Sequence, residues 1–217
     1  MRLAFLLLIF CTAFSISAFG QGAVYRSDTL TNMLATLKPS AIAAKEKLSV
    51  EVSGFRSTGD WGESRVARWD KSSTATTNAG CVFATADGVG RWVFDDCFNG
   101  GPIDARWFGV KKIDLWEEGI TDISSLAAQN NEALQSAVDF VDDFENLSSG
   151  YAANPAIKLP AGCIYVNGGI RVDSAEIYGS FQDISSFWQS TQVRGRRGST
   201  NDIFILSSTK STKPHLH

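Results

Sequence analysis

The segments Asn130–Phe144, NNEALQSAVDFVDDF, and Ala156–Val166, AIKLPAGCIYV, decide the fold. The first segment carries apolar residues at the spacing of one buried helical face. Asn130 is the expected N-cap, and Glu132 in the first turn suits the positive end of the helix dipole. The second segment has extended character on both sides of a Pro-Ala-Gly turn. The sequence therefore predicts an amphipathic helix followed by strands against which its apolar face is buried.

The opposite face of this helix is polar and mainly acidic. It carries Gln135, Ser136, Asp139, Asp142 and Asp143. A cation site is one interpretation of such a face, and a solvated helix surface is the other. The spacing favours the solvated surface.

The start of the chain has the layout of a secretory signal peptide. Arg2 gives a positive start, Leu3–Phe10 is almost entirely apolar, and Ala18–Gly20 supplies small residues before a polar position. We expect residues 1–20 to be a signal peptide that is removed on export, so that the protein is secreted or periplasmic. The alternative is an N-terminal membrane anchor. Since no second stretch is long and apolar enough to span a bilayer, no membrane contact is expected after cleavage.

The charge of the chain excludes one class of partner. The net charge is −3, and loss of Arg2 leaves 19 basic against 23 acidic residues. No basic field is present to attract nucleic acid, so no nucleic-acid partner is predicted. The abundance of Gly, Ser and Thr favours a β-rich protein.

The cysteines and histidines limit the chemistry. Cys81 and Cys97 are close enough in sequence to close a local disulfide in an oxidising compartment, worth about 3 kcal/mol in the chain-entropy model. The alternative is that Cys81, Cys97 and Cys163 are three buried thiols. The only histidines are His215 and His217. No metal site and no histidine-based triad are therefore predicted.

Residues 21–105 read as a β-rich front module with a short helix. The apolar spacing predicts a helix over Leu30–Leu37, with Ser27 or Thr29 as its cap. Short strands separated by glycine-rich turns predict a small antiparallel sheet. These strands are Leu48–Val52, Arg65–Asp70, Cys81–Ala84 and Arg91–Phe94.

Three tryptophans of the front module have two interpretations. Trp61, Trp69 and Trp92 form either a platform on which sugars stack or the core of a small module. The core is the favoured interpretation because large aromatic side chains supply much of the burial that a small domain needs.

The front module resembles a known family. The resemblance lies in Gly54-Phe55, Gly59-Asp60-Trp61-Gly62, Arg68-Trp69-Asp70 and Gly90-Arg91-Trp92. These runs look like the front segment of right-handed parallel β-helix proteins of the pectate-lyase superfamily. That superfamily includes tailspike depolymerases, polysaccharide lyases and glycoside hydrolases.

The resemblance continues through residues 106–217. Arg106–Val110 resembles the strand that opens the β-helix in the family, and Leu159–Gly162 and Ala175–Gly179 match its later segments. The implied fold is mainly β: a small antiparallel module, a capping α-helix and the first coils of a right-handed parallel β-helix. We therefore expect the helix to lie against the first strands and the strands after it to pair in parallel.

The remaining strands allow only two or three coils. Ile170–Val172, Glu176–Tyr178 and Ile203–Leu206 are the predicted strands, whereas Phe181–Thr200 reads as an exposed loop with a basic cluster. No second cap is recognisable after Ser207, and an open stack leaves its last coil exposed. The expectation is that the chain is part of a longer protein or needs a partner.

The resemblance implies a function on polysaccharide, either as a lyase or as a glycoside hydrolase. The catalytic residues would lie beyond this chain, which alone would be inactive, and a homotrimer is the assembly implied for the full-length protein. No cofactor is expected, except Ca²⁺ if the full-length protein is a lyase. The alternative is a non-catalytic polysaccharide-binding or attachment module of tailspike type.

The sequence offers only a few individual residues as candidates for a site. Asp60, Asp104 and Asp122 are available acids, but none forms a recognisable catalytic pair. Candidate carbohydrate contacts are Trp61, Trp188, Arg194, Arg196 and Arg197.

Overall fold

The structure is a computed structural model. It describes residues 17–18, 23–42, 48–113, 123–144, 155–179, 191–195 and 202–206. Within these ranges the protein is mainly β, with thirteen strands and two α-helices. Among the described residues, no helix is both long and apolar enough to cross a membrane.

The front of the chain forms one mixed sheet. Its six strands are β1 (Ser17–Ala18), β2 (Ala23–Ser27), β3 (Ser49–Val52), β4 (Arg65–Asp70), β5 (Val82–Ala84) and β6 (Arg91–Phe94). Their order is β1-β2-β3-β4-β6-β5. The four predicted strands pair antiparallel, as expected. The sheet also contains β2, which the sequence analysis did not predict and which lies parallel to β3.

The short helix of the front module is α1 (Leu30–Thr36). Of its two candidate caps, Thr29 is the one used, because its hydroxyl accepts the Asn32 N–H at 3.1 Å. The helix buries Leu30 and Met33. A 3₁₀ turn, Pro39–Ala41, follows it directly.

The interior of the front module is aromatic. Trp61, Trp69 and Trp92 are 1%, 8% and 0% exposed, so they form core and not a sugar platform. Trp61 was a predicted carbohydrate contact, and its burial corrects that prediction because no face of the ring is open to a ligand. Cys81 and Cys97 are joined by a disulfide, while Cys163 is a buried free thiol.

The second half of the chain forms three small parallel sheets. Its strands are β7 (Ile103–Asp104), β8 (Ile157–Lys158), β9 (Gly162–Val166), β10 (Ile170–Val172), β11 (Ile177–Tyr178), β12 (Thr191–Gly195) and β13 (Phe204–Leu206). The parallel pairs are β7 with β8, β8 with β11, β9 with β12, and β10 with β13. The strands paired within these three sheets thus run parallel, as predicted.

Two local predictions in this half were wrong. Arg106–Val110 is not a strand: Ala105–Phe108 is a 3₁₀ helix that ends at Gly109, whose φ of +97° suits glycine. The segment predicted as an exposed loop contains β12, which pairs along its whole length with β9. The 3₁₀ helix is closed by local bonds from Asp104 and Gly109, whereas β12 depends on a strand far away in sequence, which a local pattern cannot show.

The long helix is α2 (Ile123–Asp142). Its apolar face is buried as predicted, and it packs on β8, β9 and β10 as well as on the 3₁₀ helix at Ala105–Phe108. Its start differs from the prediction. Asn130 is not the N-cap but lies within the helix and is completely buried.

Candidate functional site

The feature that stands out is one edge of the strands β8, β9 and β10. Their other edge pairs with β11, β12 and β13. Backbone N–H and C=O groups on the first edge need partners, because an exposed strand edge pairs readily with other chains. The segment from Ile103 to Asp142 supplies those partners one after another.

The first part of the edge is covered by backbone. β7 lies along β8, and the Ile103 N–H donates to the Ala156 carbonyl at 2.8 Å. Farther on, Ile113 and Cys163 exchange two backbone hydrogen bonds of 2.7 and 3.0 Å. Beyond Ile113 the covering groups come from α2.

Asn130 covers the next position with its side chain. Its Nδ2 donates to the carbonyls of Lys111 at 2.9 Å and Tyr165 at 3.0 Å. Its Oδ1 accepts the Lys111 N–H at 2.8 Å. A buried amide with three partners joins the helix, the segment before it and β9, so Asn130 is a structural residue.

Gln135, just over one helical turn later, covers β10. Its Oε1 accepts the Arg171 N–H at 2.8 Å, and its Nε2 donates to the Arg171 carbonyl at 3.0 Å. The side-chain amide thus pairs with one residue of the strand as a neighbouring strand would. Its Nε2 also donates to Asp139 at 2.7 Å, which holds the amide in place.

Asp142, at the end of α2, covers the turn after β10. Its carboxylate accepts the N–H groups of Asp173 at 3.1 Å and Ser174 at 2.7 Å. It also accepts the Ser174 hydroxyl at 2.8 Å. These bonds use the carboxylate as a cap for the turn, which does not suit a general acid or base.

An open groove of about 490 Å³ lies along this contact between α2 and β10. It is lined by Gln135, Asp139, Asp142, Gly169, Arg171, Val172 and Asp173. Across the described ranges, no three Asp, Glu, Cys or His side chains are grouped so that they could hold a metal ion. On the acidic face of α2, Gln135 and Asp142 bind the backbone of β10 and of the turn after it.

A second polar cluster lies inside the front module, around Arg65. Its guanidinium, only 3% exposed, forms two hydrogen bonds with Asp96 at 2.7 and 2.6 Å and one with the Gly80 carbonyl at 3.0 Å. It also lies over the rings of Trp61 and Trp107. Burial lowers the pKa of Arg65, and the hydrogen bond and charge of Asp96 oppose that shift. The group is an ion pair between a buried guanidinium and a partly exposed carboxylate, set against the aromatic core.

The predicted site residues are not brought together. Trp61 is core, and Trp188, Arg196 and Arg197 lie outside the described residues. Arg194 is exposed on β12, in register with the half-buried Tyr165 of β9. Tyr165 could not be identified from the sequence, because only the parallel pairing places it beside Arg194.

The predicted acids have structural partners where they are described. Asp60 accepts three backbone N–H groups, from Phe55, Arg56 and Ser57, and so holds a turn. Asp104 is paired with Arg106. Asp122 lies outside the described residues.

Comparison with solved structures finds partial likenesses, among them a phage protein. The chain is similar to a tailspike protein, gp49, from Acinetobacter baumannii bacteriophage Fri1, described as a capsular polysaccharide depolymerase. The two are 20% identical with a TM-score of 0.48, over 73% of this chain and 23% of that one. The chain therefore spans about a quarter of the length of that protein. No protein-family model and no curated protein matches the chain.

Proposed function

We propose that this chain is the N-terminal capping portion of a secreted carbohydrate-active protein of right-handed parallel β-helix type. In this proposal the whole protein acts on polysaccharide as a lyase or a glycoside hydrolase. The observation that carries the capping role is the series of partners that the described residues of Ile103–Asp142 give to the edge of Ile157–Ser174. An edge closed in this way cannot recruit another strand.

The order of the strands supports the β-helix. The chain runs through β8, β9 and β10 in one pass, and the next pass places β11, β12 and β13 beside them in the same order. Each later strand is parallel to its counterpart in the pass before. Stacked coils of one chain have this arrangement, with helix α2 across the first coil.

The sugar substrate is the least direct part of the proposal. It rests on the resemblance of the front module and of the segments after α2 to polysaccharide-active β-helix proteins. Arg194 beside Tyr165 supplies an exposed cation next to an aromatic ring, a combination that suits hydroxyl-rich ligands. As domains we propose the signal peptide at 1–20, the front module at 21–105 and the capped coils at 106–217.

Export is part of the same proposal. The disulfide Cys81–Cys97 supports it, since such bonds persist in oxidising compartments. The signal-peptide layout of residues 1–20 points the same way. Mass spectrometry of the protein from culture medium or periplasm would test both; an intact N-terminus in the cytoplasmic fraction would contradict export.

Polysaccharide assays test the substrate. The purified chain is incubated with a panel of acidic and neutral polysaccharides, and both binding and the release of reducing or unsaturated ends are measured. Binding without release supports a capping portion with chemistry elsewhere. Release of ends by this chain would show that it is itself catalytic. Neither binding nor release with any polymer would count against a polysaccharide function.

The capping role is tested by opening the edge. The double variant Gln135→Ala/Asp142→Ala removes the side-chain partners of β10 and of the turn after it but leaves the apolar face of α2 intact. We expect greater self-association in size-exclusion chromatography with retained circular dichroism. Ser136→Ala, on the same helix, with Asp143→Ala, just after it, is the matched control. Equal behaviour of the two double variants would contradict the capping role.

A further inference from the structure

A row of side chains in register crosses the three-stranded sheet β7-β8-β11. Asp104, at one end of the row, is buried, whereas Lys158 is exposed. The register pairs Asp104 with Lys158 and Lys158 with Tyr178. The residues just before them, which are Ile103, Ile157 and Ile177, are all buried. Since neighbouring residues of a strand point to opposite faces, the acid, the amine and the phenol share the other face. Adjacent strands put them about 4.8 Å apart along the row.

Asp104 is already paired, and not with its neighbour in the row. The Arg106 guanidinium donates to both of its oxygens, at 3.0 and 2.6 Å. The Asp104 carboxylate also accepts the Arg106 N–H at 3.0 Å. An ideal Cβ on Gly62, which has φ +87°, would lie 2.5 Å from Arg106 Nη1, so only glycine lets this loop of the front module approach. This loop of the front module therefore borders the row at the end where Asp104 lies.

The N–H donors of the Lys158 ammonium group lie in solvent. Its side chain is exposed, and among the described residues no carboxylate lies within 4.0 Å of its ammonium group. Arg106 occupies the carboxylate that Lys158 would otherwise reach. The three N–H donors of Lys158 are therefore available to a ligand between Asp104 and Tyr178.

Tyr178 closes the other end of the row. Its ring is partly exposed. Desolvation raises the pKa of the phenol, and the negative charges of Asp104 and Glu176 raise it further. At neutral pH the side chain thus offers an uncharged hydroxyl and an apolar ring edge together, which is the amphipathic surface found at recognition sites.

We propose that the row Asp104–Lys158–Tyr178 is a binding subsite for a neutral pyranose unit of a polysaccharide. The ring of the sugar would stack on Tyr178, while its hydroxyls accept from Lys158. Asp104, buried and paired with Arg106, would contribute its charge beside the site. This inference rests on the proposed polysaccharide function and adds the place and the class of sugar.

The charges around the row are the reason for a neutral sugar. Glu63, Asp104 and Glu176 are acidic, while Arg106 and Lys158 are basic. The cluster thus has no excess of positive charge. A polyanion would gain little attraction there, whereas hydroxyl groups can use both donors and acceptors.

The test uses the purified chain with dextran and galactomannan as neutral probes and alginate as an acidic one, in affinity electrophoresis. The variants are Lys158→Ala, Tyr178→Ala and Tyr178→Phe, and Lys71→Ala is the control, an exposed lysine on the turn after β4. We expect a neutral polymer to retard the chain. Lys158→Ala or Tyr178→Ala should raise the dissociation constant about tenfold, Tyr178→Phe less, and Lys71→Ala not at all.

Retention of neutral-polymer binding in both alanine variants would overturn the subsite, as would absence of binding to every neutral polymer. Binding of alginate alone, unchanged in all variants, would remove this inference and leave the proposed function standing. Binding of no polymer at all would remove both. Circular dichroism of each variant checks that the fold is kept.

Discussion

At the scale of single residues, the polar groups that matter are those that bind backbone far away in sequence. Asn130 is the clearest case. Its position before an apolar run made it a natural N-cap, yet its amide is buried and bonded to Lys111 and Tyr165. The same side chain that would stabilise a helix end in isolation here joins three segments. Its role depends on partners that are 19 and 35 positions away.

Asn130→Ala should lower the free energy of unfolding by about 3 kcal/mol, because it leaves buried donor and acceptor groups of Lys111 and Tyr165 without partners. Urea unfolding followed by circular dichroism measures the change. Glu132→Ala, an exposed position on the same helix, is the control and should change the free energy little. A loss no larger than that of the control would show that water replaces the amide.

Asp87 links the turn after α1 to the front sheet. Its carboxylate accepts the N–H of Ser40 at 2.9 Å and its hydroxyl at 2.6 Å. Desolvation raises the pKa of Asp87, but hydrogen bonds from Ser40, Thr85 and Val89 outweigh it and bring the pKa to about 2. Since the folded pKa is below the usual value, the ionised carboxylate stabilises the fold above about pH 4, and this contribution is lost as the pH falls towards 2.

Asp87→Asn should therefore be less stable than the wild-type chain at pH 5, with the difference shrinking as the pH falls from about 4 to about 2. Urea midpoints of the variant and of the wild-type chain at several pH values measure this difference in stability. Asp28→Asn, at another exposed aspartate of the front module, serves as the control. A difference that stays constant between pH 5 and pH 2 would contradict the role of the Asp87 charge.

At the scale of elements, α2 has two different interfaces. Its apolar side packs into the core, with Leu134, Val138 and Val141 fully buried. Its polar side carries Gln135 and Asp142, which pair with the backbone of β10 and the turn after it. The first interface is non-directional and supplies most of the stabilisation, whereas the second fixes the register of helix against strand.

This division predicts where amide hydrogen exchange will change. Gln135→Ala should speed exchange at the Arg171 N–H, and Asp142→Ala at the Asp173 and Ser174 N–H groups, because those hydrogens lose their acceptors. The Ile170 N–H donates to the Ile203 carbonyl and provides an internal control. Exchange resolved by residue in NMR measures all four. Uniform acceleration across β10 would mean that the helix detaches as a whole.

At the scale of the whole molecule, one hydrophobic cluster runs through both halves of the described chain. It includes Trp92 and Phe94 of the front sheet as well as Val138 of α2 and Ile164 of β9. Phe140 lies at the junction, with its ring 5.9 Å from Phe98 and 5.7 Å from Phe108 between centroids. The boundary expected near residue 105 is therefore crossed by packed side chains.

A continuous core predicts a single cooperative unfolding transition. Phe140→Ala should cost about 3–5 kcal/mol and shift tryptophan fluorescence and far-ultraviolet circular dichroism together. Three of the six tryptophans lie in the front module, where they are buried. Thr31→Ala, at an exposed site on α1, is the matched control. Two separate transitions, of which only one responds to the variant, would show two independently folding units.

The sequence by itself determined the class of the protein and most of its strands, because alternating and helical apolar patterns are local properties. Residues close to one another in sequence determine the four predicted strands of the front sheet, the cap of α1 among two candidates and the buried face of α2. It missed the short strands β1, β2, β7 and β12, which form by pairing with other strands, as β2 does with β3 and β12 does with β9.

Tertiary structure alone decided which polar groups meet. Gln135 meets Arg171 and Asn130 meets Tyr165 because α2 packs against β9 and β10. Asp104, Lys158 and Tyr178 are neighbours because their strands pair in parallel register. Hydrogen bonds depend on distances of a few ångströms, and a distance between residues remote in sequence is a property of the folded chain. For that reason the helix was predictable from its own residues, whereas the edge that it closes was not.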